Sequence, residues 1–346
     1  MTDLAAETGT DPRSDMASAA PLIVADRLVK QFLARRSPWG RAGSVRALDE
    51  VSLTIGRGET LAVVGESGSG KSTLGRALLQ LDPPDQGSVR FDGEELVGLR
   101  ERRLHPYRRR MQMIFQDPFG SLNPRMTVRT ILAEPFEIHR SSYARVNIDA
   151  EVSRLLDAVQ LPASAADRYP RQFSGGQRQR ISIARALALK PELVVADEPV
   201  SALDVSIQAQ ILRLLSDLQT QHRLAYLFIA HDLAVVRHIA DRVVVMYFGR
   251  VVEVADCDTL YRMPGHPYTR ALLDASPLPD PEAEARRKRV TLQGEVPSAT
   301  NPPAGCPFHG RCPRAQARCL TERPPLLERG KGHQVACHVP LEPVLG

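Results

Sequence analysis

The sequence lacks any apolar run long enough to cross a membrane. A spanning helix needs about 20 consecutive, mostly apolar residues, and the 346-residue chain contains no such run. Residues 1–20 carry four acidic side chains and no continuous apolar segment, so we expect a disordered tail there rather than a signal peptide or an anchor. A protein of this kind would serve a membrane process only as a peripheral subunit.

The chain also lacks a long-period internal repeat and a strong charge imbalance. Lys and Arg number 45 against 40 Asp and Glu, which leaves a net charge of +5 and a pI near 9.1. Short basic runs such as 108–110 are common on solvated surfaces, and we interpret them so rather than as a nucleic-acid interface. The length predicts about two domains, at roughly 150 residues each.

Cysteine is scarce and unevenly placed. Cys257 stands apart, and the other four cysteines lie near the end of the sequence at Cys306, Cys312, Cys319 and Cys337. Without a secretory signal we expect a reducing compartment, which favours metal ligation over disulfides. Paired CxxC knuckles are absent, so the spacing leaves zinc and an iron–sulfur cluster both open. The nearby histidines could be additional ligands, but we interpret them as bystanders: His309, His333 and His338.

The strongest motif is a glycine-rich loop between a predicted strand at 60–64 and a predicted helix at 74–81. Backbone N–H groups in such a loop point at phosphate oxygens, because glycine removes side-chain bulk. Lys71 would reach the β and γ phosphates, and the Ser72 hydroxyl would join a magnesium shell. We therefore predict a Mg-nucleotide site formed by Gly65, Glu66, Ser67, Gly68, Ser69, Gly70, Lys71, Ser72 and Thr73.

Two carboxylates follow another apolar strand, predicted at 193–196. Asp197 suits magnesium, directly or through water. Glu198 suits a general base that polarises the attacking water, because phosphoryl transfer depends chiefly on positioning and charge stabilisation. An Asp-Glu pair alone would be an ordinary strand end, and the upstream phosphate loop is what favours the catalytic interpretation.

The apolar pattern predicts an α/β fold with a mostly parallel core sheet. Continuous apolar runs are typical of strands buried on both faces, and they occur at 193–196, 224–229 and 243–246. Strands are predicted at 22–29 and 51–55, and the segment 88–91 with the following Asp92-Gly93 turn indicates an antiparallel β edge. Helical spacing from 127 to 189 indicates an inserted helical subdomain. We expect one ATP-binding domain at 21–275 and a linker with a small cysteine module at 276–346.

The run Phe173-Ser174-Gly175-Gly176-Gln177, with the phosphate loop and the carboxylates, resembles the signature of ABC transporter ATP-binding subunits. The resemblance covers nearly the entire chain and implies a P-loop NTPase fold of the ABC type. It also implies that this run binds the γ phosphate held by a facing subunit, with Gln177 opening a helix. The family's usual leucine is Phe173 here, an apolar change that we do not expect to disable the site.

The resemblance assigns roles to four further residues. It implies that Gln116 contacts magnesium and water, and that His231 holds the γ phosphate. Asp204 falls in a loop that communicates between the two nucleotide sites. Phe32 lies where the family stacks an aromatic ring on adenine, with a core phenylalanine as the alternative.

Segments 116–124, 173–180 and 266–269 resemble the dipeptide and oligopeptide importer branch, most closely the second ATPase of the importer pair. This resemblance implies a similar ATPase partner or a second copy, two transmembrane permease subunits and an extracytoplasmic peptide-binding protein, with the chain at the cytoplasmic face of the membrane. It also favours a [4Fe–4S] cluster on the four grouped cysteines, with zinc or free thiols as the alternatives.

Nickel-chelate and glutathione importers share these features and remain alternatives for the substrate. A soluble ABC ATPase acting on nucleic acid or ribosomes is an alternative of another class. Such proteins usually carry a long coiled coil or two ATPase cassettes, and the sequence predicts neither. A metal-sensing subunit with a secondary ATPase is disfavoured because Lys71, Asp197, Glu198 and His231 are all present.

Overall fold

The computed structural model describes residues 20–33, 44–276, 294, 297–298, 300, 302–330 and 332–342. Most of the expected tail at 1–20 and much of the expected linker after 276 lie outside these residues. The described strands are β1 (Ile23–Leu33), β2 (Ser44–Ile55), β3 (Thr60–Val64), β4 (Gln86–Phe91), β5 (Glu94–Glu95), β6 (Met111–Ile114), β7 (Leu193–Asp197), β8 (Ala225–Ala230), β9 (Arg242–Tyr247), β10 (Arg250–Asp256), β11 (Leu327–Gly330) and β12 (His333–Val335).

The helices lie between and around these strands. They are α1 (Lys71–Leu78), α2 (Glu101–Arg110), α3 (Pro118–Ser121), α4 (Val128–Ile138), α5 (Arg140–Tyr143), α6 (Ile148–Ala158), α7 (Gly175–Leu187), α8 (Val205–His222), α9 (Leu233–Val236), α10 (Cys257–Arg262), α11 (Pro267–Ala275) and α12 (Ala317–Thr321). Short 3-10 turns occur at Ala163–Asp167, Pro170–Gln172 and His309–Arg311. No described helix has both the length and the apolar character needed to cross a membrane.

The main sheet has eight strands in the order β11-β12-β10-β9-β3-β8-β7-β6. Its centre is parallel, because β3 pairs in parallel with both β8 and β9, and β7 pairs in parallel with β6 and β8. β10, β11 and β12 are joined by antiparallel pairing. The expectation of a mostly parallel core sheet is confirmed.

Both faces of the central strands are buried, and each face belongs to a different apolar core. In β3, Leu61 and Val63 pack into one cluster, whereas Ala62 and Val64 pack into the other. The alternation follows from the two-residue period of a strand. The first cluster includes α1 and the second includes α6, α7 and α8. Continuous apolar runs in the sequence therefore mark strands covered on both faces.

A second, antiparallel sheet lies over the α1 side of the core, with the order β2-β1-β4-β5. β1 pairs with β2 on one edge and with β4 on the other. The antiparallel edge predicted at 88–91 is present as β4 and β5. The strand candidates at 22–29 and 51–55 correspond to β1 and β2, which extend further than the sequence pattern suggested. Polar residues that face solvent alternate with buried ones in both strands. The apolar runs that indicated these strands in the sequence were therefore shorter than the strands themselves.

Residues near the end of the chain complete the main sheet. Val335 of β12 lies opposite Glu253 of β10. The Glu253 side chain is fully buried and accepts hydrogen bonds from the backbone N–H groups of Gly265 (2.6 Å) and His266 (2.8 Å). Its Oε1 also contacts Nε2 of His333 at 2.8 Å. This carboxylate ties β10, the start of α11 and β12 together.

We expect Glu253→Ala to lower the free energy of unfolding by about 2–4 kcal/mol, because it leaves two buried N–H groups without an acceptor. Urea denaturation of the purified chain measures the change. Glu137→Ala replaces an exposed glutamate on α4 and should change stability by less than about 0.5 kcal/mol. Equal stability losses in the two variants would contradict the role assigned to Glu253.

Candidate functional site

The glycine-rich loop is held between β9 and the antiparallel sheet. A Cβ atom at Gly65 would lie 2.2 Å from the carbonyl oxygen of Met246, and one at Gly70 would lie 2.3 Å from that of Ala47. Gly70 also has a φ of 100°, a left-handed conformation that favours glycine. The helix after the loop begins at Lys71 rather than at residue 74, so the last loop residues form the first turn of α1.

Lys71 is buried beneath the loop. Its Nζ donates to the carbonyl oxygens of Gly65 (2.8 Å) and Glu66 (3.0 Å). Burial lowers the pKa of Lys71, and the opposing effect comes from the carboxylates of Glu198, Asp197 and Glu66. The side chain is therefore surrounded by carbonyl and carboxylate oxygens, from which it can move to phosphate oxygens of higher charge.

Ser72 and Asp197 bring two oxygen donors together beside the loop. The Ser72 hydroxyl donates to Oδ1 of Asp197 at 2.9 Å. Burial raises the pKa of Asp197, while the Ser72 hydrogen bond lowers it. Magnesium prefers oxygen ligands and commonly takes one or two carboxylates together with substrate phosphates. The pair therefore fits the chemistry of a magnesium site.

Strand register explains why these residues meet. Val64 of β3 lies opposite Ala230 of β8, and Asp197 of β7 lies opposite Ile229. Ile114 of β6 lies opposite Ala196. The residues that follow each strand end are consequently neighbours along one edge of the sheet, where ligands bind in open α/β folds.

Glu198, Gln116 and His231 converge at this edge. Oε2 of Glu198 accepts a hydrogen bond from Nε2 of Gln116 at 3.0 Å, and it lies 3.2 Å from Nδ1 of His231. Glu198 itself has a φ of 44°, and its N–H donates to the carbonyl oxygen of Ile229. A cavity of about 40 Å³ borders Glu198 and His231, which is enough volume for one water.

The signature run forms a capped helix start. The Ser174 hydroxyl accepts from the Gln177 N–H at 3.3 Å, and Oε1 of Gln177 accepts from the Ser174 N–H at 3.0 Å. The helix α7 begins at Gly175, so the expectation that Gln177 opens it is wrong: a capping box places Gln177 in the third helical position. The phenyl ring of Phe173 is buried beneath the Arg168 guanidinium.

The structure does not bring the signature to the phosphate loop of the same chain. Among the described residues, no hydrogen bond or ion pair joins 65–73 to 173–177. A Cβ atom at Gly176 would lie 2.6 Å from Cγ2 of Ile207, so α7 packs closely against α8. The free end of α7 retains N–H groups suited to an anion.

Phe32 and Asp204 are both exposed. Phe32 lies in β1 opposite Val45, two residues from Ala47, whose carbonyl oxygen adjoins Gly70. Its ring is 42% exposed and has Nζ of Lys30 at 5.7 Å from the centroid, which argues against the core-phenylalanine alternative. Asp204 caps the N-terminus of α8 with its backbone carbonyl, which accepts from the N–H groups of residues 207 and 208.

The four late cysteines form one neighbourhood. Burial raises the pKa of the Cys306 thiol to about 11, and the thiols of Cys337, Cys319 and Cys312 act in the same direction. The Cys306 N–H also donates to the carbonyl oxygen of Cys319 at 2.8 Å. Within the described part of the chain, however, no three His, Cys, Asp or Glu side chains are grouped as a single metal ion requires. The four thiols of the cysteine module thus lie near one another, but they are not arranged as ligands of a single metal ion.

The three nearby histidines contact protein oxygens instead. Nδ1 of His309 lies 2.7 Å from the Cys306 carbonyl oxygen, and Nε2 of His338 lies 3.0 Å from that of Glu322. His333 contacts Glu253, as described above. These contacts agree with the interpretation of the histidines as bystanders.

Two residues at the phosphate loop received no role from the sequence. The Tyr268 hydroxyl accepts a hydrogen bond from the Glu66 N–H at 2.8 Å, and Arg311 forms two hydrogen bonds to the Glu66 carboxylate. Tyr268 lies in the segment 266–269, which resembles the peptide-importer branch. The sequence of this segment did not predict its contact with the phosphate loop. Arg311 is 245 residues from Glu66 in sequence, and no local pattern could have revealed that pair.

Two family models match the chain. The family described as "ABC transporter" matches residues 48–201, and "Oligopeptide/dipeptide transporter, C-terminal region" matches residues 252–319. Among curated proteins, a putative oligopeptide transport ATP-binding protein, YkfD of Bacillus subtilis, is 52% identical over 322 residues, covering 92% of this chain and 95% of its own. The oligopeptide transport ATP-binding protein AppF of the same organism is 51% identical, covering 86% and 91%.

Solved structures agree with this match. The chain is similar to the ATP-binding cassette MJ0796, in a dimeric post-hydrolysis state bound to ADP and Pi, with a TM-score of 0.60 and 28% identity over 68% of this chain and 98% of that one. Family membership implies ATP hydrolysis, an ATPase dimer and membrane permease partners. The identity over nine-tenths of the chain shows that it belongs to the ABC transporter ATP-binding proteins, with a C-terminal region of the oligopeptide/dipeptide transporter type.

Proposed function

We propose that this protein is the ATP-hydrolysing subunit of an importer that powers uptake of di- or oligopeptides across the cytoplasmic membrane. The observation that carries the proposal is the convergence of Gln116 and His231 on one oxygen of Glu198, at the sheet edge where the phosphate loop begins. The names of its relatives, and its match to the oligopeptide/dipeptide C-terminal region, support peptides as the substrate class.

Each residue of the site has its own proposed role in ATP binding or hydrolysis. Lys71 and the loop N–H groups bind the β and γ phosphates, and Ser72 with Asp197 would hold magnesium, which neutralises phosphate charge when bound. Glu198 accepts a proton from the attacking water, and Gln116 orients that carboxylate together with His231. The exposed ring of Phe32 stacks on the adenine.

The signature completes the site of a partner subunit. Ser174, Gly175, Gly176 and Gln177 form a free helix N-terminus that carries partial positive charge. Among the described residues, no hydrogen bond or ion pair joins this run to the loop of its own chain, which supports action in trans. Asp204 falls in the loop that follows Glu198. This loop communicates between the two nucleotide sites of the dimer.

The proposed assembly contains a second ATPase, either similar or identical, two permease subunits and an extracytoplasmic peptide-binding protein. The chain would bind the permeases from the cytoplasmic face as a peripheral subunit. We propose 21–275 as the ATPase domain, with a helical subdomain at 127–189, and 276–346 as the linker and cysteine module. α4, α6 and α7 support the helical subdomain.

We propose a [4Fe–4S] cluster on Cys306, Cys312, Cys319 and Cys337. The support is that four partly or fully buried thiols lie in one module, where Cys312, Cys319 and Cys337 all help to raise the pKa of Cys306. Among the described residues, no three His, Cys, Asp or Glu side chains are grouped to hold a metal ion, which favours neither the cluster nor zinc; the preference for the cluster rests on the family resemblance of the sequence. When bound, the cluster would supply positive charge that stabilises the thiolates.

We expect Glu198→Gln to reduce ATP turnover by at least about 100-fold while leaving ATP binding intact, because the amide cannot accept the proton. In the assembled transporter it should also stop peptide uptake. Phosphate release and radiolabelled peptide accumulation measure the two effects. Glu94→Gln, at an exposed position of β5, is the matched control and should retain both activities.

Undiminished hydrolysis by Glu198→Gln would refute the assignment of the base. Binding assays of the co-purified complex with short peptides, nickel chelates and glutathione decide the substrate class. If hydrolysis depends on Glu198 but only a chelate or glutathione binds, the ATPase assignment stands and peptide import is wrong.

We expect Ser174→Arg to abolish hydrolysis in a dimer of identical variants, because the larger cation blocks the γ-phosphate surface offered to the neighbour. Mixing it with a partner whose signature is intact and whose phosphate loop is disabled, such as a Lys71→Ala copy, should restore one composite site. Phosphate release from the mixture measures the recovery. Full activity of Ser174→Arg alone would contradict action in trans.

We expect anaerobically purified protein to be brown and to contain iron and acid-labile sulfide. Cys319→Ser should remove most of both, whereas Cys257→Ser should retain them, because Cys257 is absent from the electrostatic neighbourhood of Cys306. Metal analysis and visible absorption provide the measurement. Colourless protein with stoichiometric zinc would overturn the cluster.

A further inference from the structure

Arg311 connects the cysteine module to the phosphate loop. Its Nη1 donates to Oε2 of Glu66 at 2.7 Å, and its Nη2 donates to Oε1 at 2.9 Å. This is the two-pronged geometry that makes guanidinium–carboxylate pairs strong and directional. The Arg311 side chain is 9% exposed, so the pair is largely shielded from solvent.

Arg311 is itself held in place on both sides. Its Nη1 lies 3.3 Å from the Tyr247 hydroxyl at the end of β9. It belongs to the 3-10 turn His309–Arg311, between Cys306 and Cys312. The ring of Phe308 packs edge-on against Tyr247 and lies 5.4 Å from Tyr268. The guanidinium is therefore presented to the loop by a packed aromatic group.

Glu66 is bound through every polar group it has. Its N–H donates to the Tyr268 hydroxyl, and its carbonyl oxygen accepts from Nζ of Lys71 (3.0 Å) and from the Ser69 N–H (3.1 Å). Its carboxylate is held by Arg311. The conformation of the phosphate loop around Glu66 thus depends on Arg311, which belongs to the cysteine module.

Charge gives this contact a consequence for nucleotide binding. Glu66 is one of three carboxylates that act on Lys71. A nucleotide brings several negative charges to the same loop, and a partly buried carboxylate with no counter-charge would repel them. Arg311 supplies that counter-charge and fixes the direction in which the carboxylate points.

We propose that Arg311 is a positioning residue for the phosphate loop: it neutralises and orients Glu66 so that the loop is arranged for nucleotide before binding. The inference rests on the assignment of 65–73 as the phosphate loop. It gives the cysteine module a part in nucleotide affinity that is independent of which metal group the cysteines hold.

The test is calorimetric titration of the full chain with Mg-ADP, which lacks a γ phosphate and so reports the loop without the partner's signature. We expect Arg311→Gln to weaken binding about tenfold, as loss of one partner of a shielded charge pair does. The double variant Glu66→Gln/Arg311→Gln removes both charges and should bind Mg-ADP more tightly than Arg311→Gln alone, because no uncompensated carboxylate is left beside the phosphates. Arg323→Gln is the control.

Arg323 belongs to the same module but pairs with Asp49, at 3.4 Å. Asp49 also pairs with Arg46 and Arg250, so its charge stays compensated without Arg323 and the variant should bind Mg-ADP normally. In ATPase assays of the assembled transporter, Arg311→Gln should raise KM for ATP and leave kcat within about twofold. A purely structural role would not produce this split or the rescue by the double variant.

Parental affinity in Arg311→Gln overturns the proposal, and so does a double variant as weak as the single one. If Arg311→Gln is insoluble, Arg311→Lys takes its place: it keeps the charge without the two-pronged geometry, and an intermediate loss is expected, with parental affinity overturning the proposal. Unchanged binding by Lys71→Ala would instead refute the phosphate-loop assignment itself, so the two failures are distinguishable.

Discussion

The parallel register of β3, β8, β7 and β6 is the constraint on which the site depends. Because Val64, Ala230, Asp197 and Ile114 end neighbouring strands at the same sheet edge, the residues that follow them come together without a special loop architecture. Register in a sheet buried on both faces is strongly specified, since a shift by one residue would exchange the two apolar faces. The same packing that stabilises the core therefore fixes the positions of Glu198, Gln116 and His231 relative to one another.

The backbone around Glu198 determines where its carboxylate points. Its N–H is held by the Ile229 carbonyl oxygen, and its left-handed backbone turns the carboxylate toward Gln116 and His231. Two groups from different strand ends thereby meet one oxygen. As the proposed base, Glu198 is thus anchored in advance, and a carboxylate anchored in this way needs little reorganisation to accept a proton.

Sequence reasoning succeeded where the determinant is local. The glycine-rich loop lies between β3 and α1, as its glycine spacing predicted, and the apolar run before Asp197 is the buried strand β7. Sequence reasoning placed the opening of α7 two residues late, because it assigned Gln177 as the first helical residue and not as the third residue of a capping box that starts at Ser174. The Glu66–Arg311 pair was out of reach, since it depends on how β10 and β12 join and not on any pattern near either residue.

That last contact changes how the C-terminal region relates to the ATPase. β12 extends the sheet that carries the nucleotide site, and buried Glu253 ties it to the segment from which Tyr268 reaches the loop. Tyr268 holds the Glu66 backbone and Arg311 holds its side chain. Two contacts on one loop residue, one from α11 and one from the 3-10 turn His309–Arg311, constrain the loop more than either could alone. The cysteine module is thus a structural part of the phosphate loop's support.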